Sequence, residues 1–505
     1  MSALQYVCLS DLHLGADYSL LTQLGEDGKS NLLKPSETLT ALGANLRRTV
    51  KSLSGAQLPT LILMGDVLDL GQSPYGAVAQ GFKRFVEALF PAAEPAVFSS
   101  QVLTVPGNHD HHLWTMAQDR HFLEGLPKQA GQAGQKGGAN QIKPDFIHGL
   151  LEHTALFTPP SIDCTMLTTL MRSCPNLLNA NVRVAYPNLG FIDPVRSRCV
   201  VLHHGHYVDS IYLVMSELNA QLHASSHAKS NTAADRPKTV AAVERENGAW
   251  VDFLFSNLGN SGALGKDIVT LYATLRDAGA SHQFSQKLSA RLLQLLSAKL
   301  GVGPNNVITQ GITVANVVKS LVDVTLVRAA ESGRNDYASV MSADELADLR
   351  WYLSGPVRRQ IADEGRLRGC KELSFVFGHT HKPFQDQLSV PGFARPVSVY
   401  NTGGWVIDQP TASPTQGAAA LFIDDQLNLA SLRLFNDAEN GRAAPVAAAG
   451  VGGFLDQDNP FLTQMNQVLL ESAPAWAEFS ACVSRASALH ARVLLQKFFT
   501  PAVSE

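Results

Sequence analysis

The chain has 505 residues, of which 45% are hydrophobic and 17% are charged, and its formal net charge is −4 at pH 7. This balance is typical of a globular protein, and the lack of any block of lysine and arginine argues against broad electrostatic binding of nucleic acids. The length predicts two or three domains, or one large domain with an insertion.

The N-terminus, the hydropathy and the cysteines together predict a cytoplasmic protein. Residues 6–9 run directly into a polar motif, without the charged start or the cleavage site of a signal peptide. No apolar run reaches the length of a membrane span, about 18 residues. The six cysteines are scattered and form no CxxC pair, which predicts buried free thiols in a reducing compartment.

The first two fifths of the chain alternate short apolar runs with segments of helical periodicity, which predicts a layered α/β fold. Helices are expected over 36–53, with Ser36 as the N-cap, and over 76–90. Residues 124–145 are rich in Gly, Gln and Lys and predict a mobile loop. The strands predicted in this part are Leu4–Leu9, Thr60–Met64, Val102–Val105, Asn181–Ala185 and Arg198–Leu202.

Residues 207–370 differ in character, because they are rich in alanine and leucine at helical spacing. We predict a helical insertion that forms a cap beside the site and shapes the substrate pocket, although its aliphatic stripes could instead line a lipid-binding groove. The helices expected within it cover 207–224, 238–258, 266–278, 282–300, 313–331 and 343–363.

After the insertion the strand pattern returns. Strands are expected over Leu373–Phe377 and Val397–Tyr400, followed by a hairpin of Ala418–Asp424 and Leu427–Phe435. Residues 436–453 are predicted to be a linker that leads into two helices within 459–499. The predicted division of the chain is therefore a core of 1–206 and 371–435, the insertion of 207–370, and a C-terminal region of 436–505.

Five polar motifs each follow an apolar run. The carboxyl ends of the strands in an open α/β sheet are where such folds place their sites, so we expect the motifs to meet at one edge. Their oxygen and imidazole donors favour Mn²⁺, Fe or Zn²⁺, in a centre of two metal ions. The motifs are Asp11-Leu12-His13, Gly65-Asp66-Val67-Leu68-Asp69, Gly107-Asn108-His109-Asp110, His203-His204-Gly205-His206 and Gly378-His379-Thr380-His381.

The candidate metal ligands come from all five motifs. In the fourth motif, His203 and His206 compete with His204 for the role of ligand. His111 and His112, which follow the third motif, are expected on the surface of a helix. The candidate ligands are Asp11, His13, Asp66, Asn108, His204, His379 and His381.

The order of the five motifs resembles the calcineurin-like metallophosphoesterase superfamily, over residues 1–206 and 371–435. The resemblance implies a four-layered αββα sandwich, here with an inserted helical cap. It implies that Asp11, His13 and His381 hold one metal ion, that Asn108, His204 and His379 hold the second, and that Asp66 bridges both. It also implies that His109 acts as general acid or transition-state stabiliser, oriented by a carboxylate such as Asp69 or Asp110.

The activity implied by the resemblance is hydrolysis of phosphate esters by a hydroxide that bridges two divalent metal ions, with Mn²⁺ as the first choice. The expected substrate is a small nucleotide- or lipid-like phosphodiester; a phosphomonoesterase and a non-catalytic scaffold are the alternatives. Residues 10–15 resemble both the double-strand-break repair nucleases and the UDP-diacylglucosamine hydrolases of the lipid A pathway. The latter have Arg where this chain has His109. The sequence does not indicate an oligomeric state.

Overall fold

A computed structural model of the chain describes residues 2–133, 150–216, 236–253, 303–309, 339–407, 413–436, 445–453 and 458–499, with residues 312, 313, 315 and 319. Within these residues the protein is mixed α/β. The strands, in chain order from β1 to β17, are Leu4–Leu9, Thr22–Leu24, Ser30–Pro35, Thr60–Met64, Gln101–Val105, Ile162–Asp163, Asn181–Val184, Asn188–Asp193, Arg198–His203, Val307–Thr309, Ile312–Thr313, Glu372–Phe377, Phe384–Leu388, Val397–Asn401, Gly417–Asp424, Leu429–Asn436 and Ala447–Ala449.

Nine α-helices lie within the same described residues. In chain order from α1 to α9 they are Glu37–Leu53, Tyr75–Leu89, His112–Ala133, Thr165–Arg172, Val240–Asp252, Ala343–Tyr352, Arg358–Asp363, Pro460–Glu471 and Ala473–Phe499. A π-helical turn, Leu353–Val357, joins α6 to α7. In the described part of the chain, no helix combines the length and the apolar character needed to cross a bilayer.

Most strands belong to two large sheets. The first has eight strands in the order β17-β16-β15-β1-β4-β5-β7-β6, and the second has five in the order β13-β14-β12-β9-β8. In the first sheet β1, β4, β5 and β7 are parallel to one another. In the second sheet β9, β12 and β14 are parallel. Both sheets therefore have a parallel core flanked by antiparallel strands.

The two sheets share one buried cluster of apolar side chains. Alternate residues of the central strands contribute to it, among them Cys8 and Ile62 from the first sheet and Val200 and Leu202 from the second. The intervening residues, such as Val7, pack instead into the larger core that contains the helices. Strands buried on both faces need apolar residues at nearly every position, which is why they are continuous apolar runs in the sequence.

The predicted start of the first helix is confirmed. The Ser36 hydroxyl accepts a hydrogen bond from the Leu39 amide at 3.0 Å, which satisfies one of the free donors of the first turn. The helix α1 then packs against α2, α8 and α9. The two predicted C-terminal helices are also confirmed as α8 and α9, and the side chain of Asn459 caps the first of them.

Two predicted irregular segments are wrong in part. Residues 124–133 belong to α3, although they include Gly125, Pro127 and Gly131, which disfavour a helix interior; residues 134–145 lie outside the described residues. The predicted linker of 436–453 contains β17, which pairs with β16 and ends the first sheet. A run of three alanines has no strand pattern, so only tertiary pairing identifies this strand.

The insertion is confirmed as helical within two of the predicted ranges: α5 lies in 238–258, of which residues 254–258 are outside the described residues, and α6 and α7 lie in 343–363. The predicted helix of 207–224 is wrong at its start, which forms the 3-10 turns His206–Val208 and Ser210–Leu213. Strands β10 and β11 form a small hairpin that the helical pattern does not indicate. The segments 266–278 and 282–300, and nearly all of 313–331, lie outside the described residues.

The prediction that all six cysteines are free is wrong for one pair. Cys199 at the start of β9 and Cys370 just before β12 form a disulfide, with their Cα atoms 5.3 Å apart. The two strands are adjacent and parallel, so residues 171 positions apart come together. The other four cysteines are free and buried, as predicted.

Candidate metal centre

Strand register brings the five motifs to the same edge of the molecule. In the first sheet Leu9 pairs with Leu63, and Met64 pairs with Val105, so the turns after β1, β4 and β5 lie side by side. In the second sheet Leu202 pairs with Val376, so β9 and β12 also end together. The side chains after these five strands therefore converge from both sheets, as the sequence predicts.

The turns that carry the candidate ligands have unusual backbone geometry. Asp11, His13, Asp66, His379 and His381 have positive φ angles between 45° and 70°. Such left-handed conformations cost about 1–2 kcal/mol in residues other than glycine. Only two other non-glycine residues in the described part of the chain adopt them. This clustering of backbone strain is characteristic of functional sites.

The first ligand cluster consists of Asp11, His13 and His381, and all three side chains are buried. The Nε2 atoms of His13 and His381 face each other at 3.2 Å. Oδ1 of Asp11 lies 3.4 Å from Nε2 of His381 and accepts a hydrogen bond from the His379 amide at 2.9 Å. The Ser10 hydroxyl donates to the other oxygen of Asp11.

The second ligand cluster consists of Asp66, Asn108, His204 and His379, which are also buried. Oδ1 of Asn108 lies 3.0 Å from Nε2 of His204 and 2.9 Å from Nδ1 of His379. Oδ2 of Asp66 lies 3.3 Å from Nε2 of His204. An amide oxygen, a carboxylate oxygen and two imidazole nitrogens thus converge on one point.

Asp66 connects the two clusters. The same Oδ2 atom that faces His204 also lies 3.8 Å from Nε2 of His13, which belongs to the first ligand cluster. Its other oxygen, Oδ1, accepts a hydrogen bond from the His109 amide at 2.7 Å, which fixes the orientation of the carboxylate. One carboxylate oxygen is therefore directed at both groups of ligands.

His109 lies beside these clusters and is held by Asp69. Nδ1 of His109 is 2.7 Å from Oδ1 of Asp69. Oδ2 of Asp69 accepts hydrogen bonds from the Tyr18 hydroxyl at 3.0 Å and from the Ser73 hydroxyl at 2.8 Å. The carboxylate is therefore fixed on both of its oxygens, and it fixes the imidazole ring in turn.

Asp110, the alternative partner of His109, is engaged elsewhere. Its carboxylate accepts four backbone hydrogen bonds, from the amides of Gly107, Asp66, Val67 and Leu68, at 2.7–3.3 Å. These bonds tie the third motif to the second. The geometry therefore assigns the orientation of the His109 ring to Asp69, and it assigns Asp110 to holding the turns in place.

In the fourth motif, the geometry places His204 among the candidate ligands. Nδ1 of His203 accepts a hydrogen bond from the Gly205 amide at 2.8 Å, and its ring packs against Tyr352. Nε2 of His206 lies 3.2 Å from the Tyr186 hydroxyl. Both side chains therefore face the surrounding protein rather than the two ligand clusters.

The electrostatics of the clusters follow from burial and from mutual charge. Burial, with the neighbouring Asp66 charge, raises the pKa of Asp11 to about 7, against the lowering effect of His204. Burial would lower the pKa of His204, but the charges of Asp66 and Asp11 raise it to about 9. The pKa of Asp66 is well below its ordinary value, because His204 and His109 outweigh the effect of burial. The centre therefore concentrates negative charge on Asp66.

The arrangement fits divalent metal ions. Ligand atoms about 2.0–2.2 Å from a cation lie about 2.8–3.6 Å from one another in octahedral or tetrahedral geometry. The five ligand-atom separations described above within the two clusters are 2.9–3.4 Å. The donor set, without thiolates, suits Mn²⁺, Fe or Zn²⁺.

Three further groups of contacts near the site are not predicted from the sequence. Asp209 lies 3.4 Å from His379. Tyr18 and Ser73 support Asp69. His111, expected on the surface, is 2% exposed and lies between Glu244 and Asp252 of α5. None of these residues belongs to a motif, so only the tertiary structure identifies them.

Comparison with known proteins adds no relative to this description. No family model matches the chain, and no curated protein matches its sequence.

Proposed function

We propose that the protein is a metal-dependent phosphoesterase of the calcineurin-like type. The observation that carries this proposal is the position of Asp66, whose Oδ2 atom faces the first ligand cluster through His13 and the second through His204. One carboxylate between two groups of Asp, Asn and His ligands is the arrangement that a centre of two metal ions requires. The two sheets pack against each other and helices pack against the sheets, which supports the four-layered αββα arrangement of that superfamily.

The seven candidate ligands would hold two divalent ions, with Mn²⁺ as the first choice. Asp11, His13 and His381 would hold one ion, Asn108, His204 and His379 the other, and Asp66 both. When bound, the ions would lower the pKa of a water molecule towards neutrality and would neutralise charge on the phosphoryl oxygens. The low pKa of Asp66 suits this role, since the carboxylate is ionised at any pH where such hydrolysis is run.

His109 is the candidate general acid. Asp69 holds its Nδ1 atom at 2.7 Å, so Nε2 is the ring nitrogen that would give a proton to the leaving oxygen. Asp69 would also stabilise the charged form of the ring before the proton leaves. The pKa of Asp69 is below its ordinary value, because its hydrogen bonds with His109 and His13 outweigh its burial. Asp69 would thus stay ionised while His109 gains and loses its proton.

The proposed substrate is a small phosphodiester, nucleotide- or lipid-like, and the test compares model esters. We would measure hydrolysis of bis-p-nitrophenyl phosphate and p-nitrophenyl phosphate with added Mn²⁺, for the parent protein, Asp66→Asn and His109→Ala. Asp193→Asn is the control, since Asp193 is the last residue of β8 and its side chain caps the turn that leads to β9.

Diester hydrolysis that is lost in Asp66→Asn, slowed in His109→Ala and kept in the control would support a phosphodiesterase. Hydrolysis of the monoester alone would replace that proposal with a phosphomonoesterase. No hydrolysis of either ester, with two Mn²⁺ ions bound, would contradict catalysis on these esters and favour a scaffold that keeps the fold.

A further inference from the structure

We propose that Asp209, at the start of the insertion, is a positioning residue for the metal ligand His379. This inference rests on the proposed function. Asp209 lies outside the five motifs and follows the fourth one by three residues. Its side chain directly contacts a candidate ligand from the insertion.

The contact uses the nitrogen of His379 that faces away from the ligand cluster. Nδ1 of His379 is directed at Oδ1 of Asn108, 2.9 Å away. Nε2, on the other side of the ring, lies 3.4 Å from Oδ2 of Asp209. A histidine that binds a metal through Nδ1 must carry its hydrogen on Nε2, and a carboxylate beside Nε2 favours that tautomer.

Asp209 is itself held in place by the turn that follows it. Its Oδ1 atom accepts a hydrogen bond from the Ile211 amide at 3.0 Å, at the start of the 3-10 turn Ser210–Leu213. The ring of Tyr212, in the same turn, packs edge-on against His379 with the ring centres 5.3 Å apart. The first turn of the insertion therefore restrains His379 through a carboxylate and an aromatic ring.

The two oxygens of Asp209 have different partners, which makes substitution informative. In Asp209→Asn one atom can still accept from the Ile211 amide, but the amide group then presents N–H donors to Nε2. A donor facing Nε2 favours the tautomer with the hydrogen on Nδ1. In that tautomer Nδ1 cannot bind a metal ion. In Asp209→Ala the turn loses its side-chain acceptor as well.

A matched control is Asp193→Asn. Oδ1 of Asp193 accepts from the amide of Val195, two residues on, as Asp209 does from Ile211. The side chains of the two aspartates are also similarly exposed, at 13% and 15%. Asp193 is the last residue of β8 and lies outside both ligand clusters, and its other oxygen pairs with Arg196 at 2.8 Å. Its variant therefore tests the loss of a turn-capping carboxylate away from the centre.

The experiment is calorimetric titration of the metal-free full-length protein and its variants with Mn²⁺, with thermal unfolding of the same metal-free samples. We expect one of the two binding events to weaken by about 10–100-fold in Asp209→Asn, with the other unchanged. The metal-free melting temperature should match that of the parent for Asp209→Asn and fall for Asp209→Ala. Asp193→Asn should bind as the parent does.

Isotherms of Asp209→Asn and Asp209→Ala that superimpose on that of the parent would overturn the inference while leaving the proposed function intact. Equal weakening of both events, or the same weakening in Asp193→Asn, would also overturn it, because the effect would then be structural. A parent protein that binds no Mn²⁺ would overturn the proposed function, and the inference would fall with it.

Discussion

Oδ1 of Asp69 lies 2.7 Å from Nδ1 of His109, and both side chains are buried. The same oxygen is 3.6 Å from Nδ1 of His13, a residue of the first ligand cluster. Asp69 therefore connects the candidate general acid to the candidate metal centre. A change in the charge of Asp69 should therefore first affect whether the His109 ring is protonated.

Replacement of His109 by alanine should slow hydrolysis by an amount that depends on the leaving group. A general acid contributes about 10²–10⁴-fold when the leaving oxygen needs a proton. The loss of rate should therefore be large for diphenyl phosphate and smaller for bis-p-nitrophenyl phosphate, whose leaving group departs as an anion. Steady-state kinetics of both esters would test this, with Mn²⁺ content measured in each sample. Equal losses on the two esters would exclude proton donation by His109.

Binding of Mn²⁺ should tighten as the pH rises. The pKa of Asp11 is raised to about 7 and that of His204 to about 9, so both groups carry protons in the metal-free protein at low pH. A metal ion must displace these protons, and each displaced proton makes the affinity change by about tenfold per pH unit. Calorimetric titrations between pH 6 and 8.5, in buffers of different ionisation enthalpy, would count the protons. An affinity independent of pH would contradict these assignments.

Gly378→Ala should disrupt the first ligand cluster without replacing any of its ligands. A Cβ atom at Gly378 would overlap Oδ2 of Asp11 and lie 2.7 Å from the Ser10 hydroxyl, so the carboxylate must move. Overpacking of this kind costs about 1–3 kcal/mol of unfolding free energy. We expect weaker Mn²⁺ binding by calorimetry and a lower midpoint in urea.

The control for that variant is Gly76→Ala in α2. No atom lies within 4 Å of a Cβ placed at Gly76, and alanine favours a helix over glycine by about 0.5–1 kcal/mol. This variant should keep full Mn²⁺ binding and equal or greater stability. Loss of metal in both variants would show that the effect of Gly378→Ala is not local.

His111→Gln should change how stability depends on pH. His111 is buried between Glu244 at 3.5 Å and Asp252 at 3.6 Å. Burial would lower its pKa, but these two carboxylates raise it to about 9. A histidine whose pKa is raised on folding contributes stability that is complete below about pH 6.5 and lost as the pH rises to about 9. The shift corresponds to about 3 kcal/mol, as an upper value.

Urea denaturation of the metal-free protein at pH 6 to 9 would measure this effect. The difference in unfolding free energy between the parent and His111→Gln should be largest near pH 6 and should shrink towards pH 9. A difference that stays constant over this range would show that His111 is neutral in the folded protein. Because Glu244 and Asp252 both belong to α5, the same comparison measures how much the contact between His111 and α5 stabilises the fold.

The fold was predictable where burial leaves a pattern along the chain. Strands such as Leu4–Leu9 and Thr60–Met64 are apolar on both faces, so the sequence predicts their bounds. The short strands have no such pattern. Ala447–Ala449 becomes a strand only because β16 offers an edge, and Ile162–Asp163 is two residues long. Tertiary pairing, rather than local preference, determines these elements.

The candidate centre was predictable for a different reason, namely that its residues lie in turns directly after strands. Because Asp66 and His204 each follow a strand that ends at this edge, they meet, although 138 residues separate them along the chain. Asp209 and Glu244 could not be found in this way. Each reaches the site from a helical or 3-10 segment of the insertion, and a lone carboxylate in such a segment is indistinguishable from a solvated one.

The two ligand clusters both take residues from the two sheets. Asp11 and His13 follow β1 of the first sheet, whereas His381 follows β12 of the second. Asp66 and Asn108 likewise belong to the first sheet, and His204 and His379 to the second. Each bound ion would therefore link the two sheets at this edge. Removal of the ions should loosen the contact between the two sheets at this edge before it affects either sheet alone. The candidate site and the packing of the sheets around it would then be disturbed at the same time.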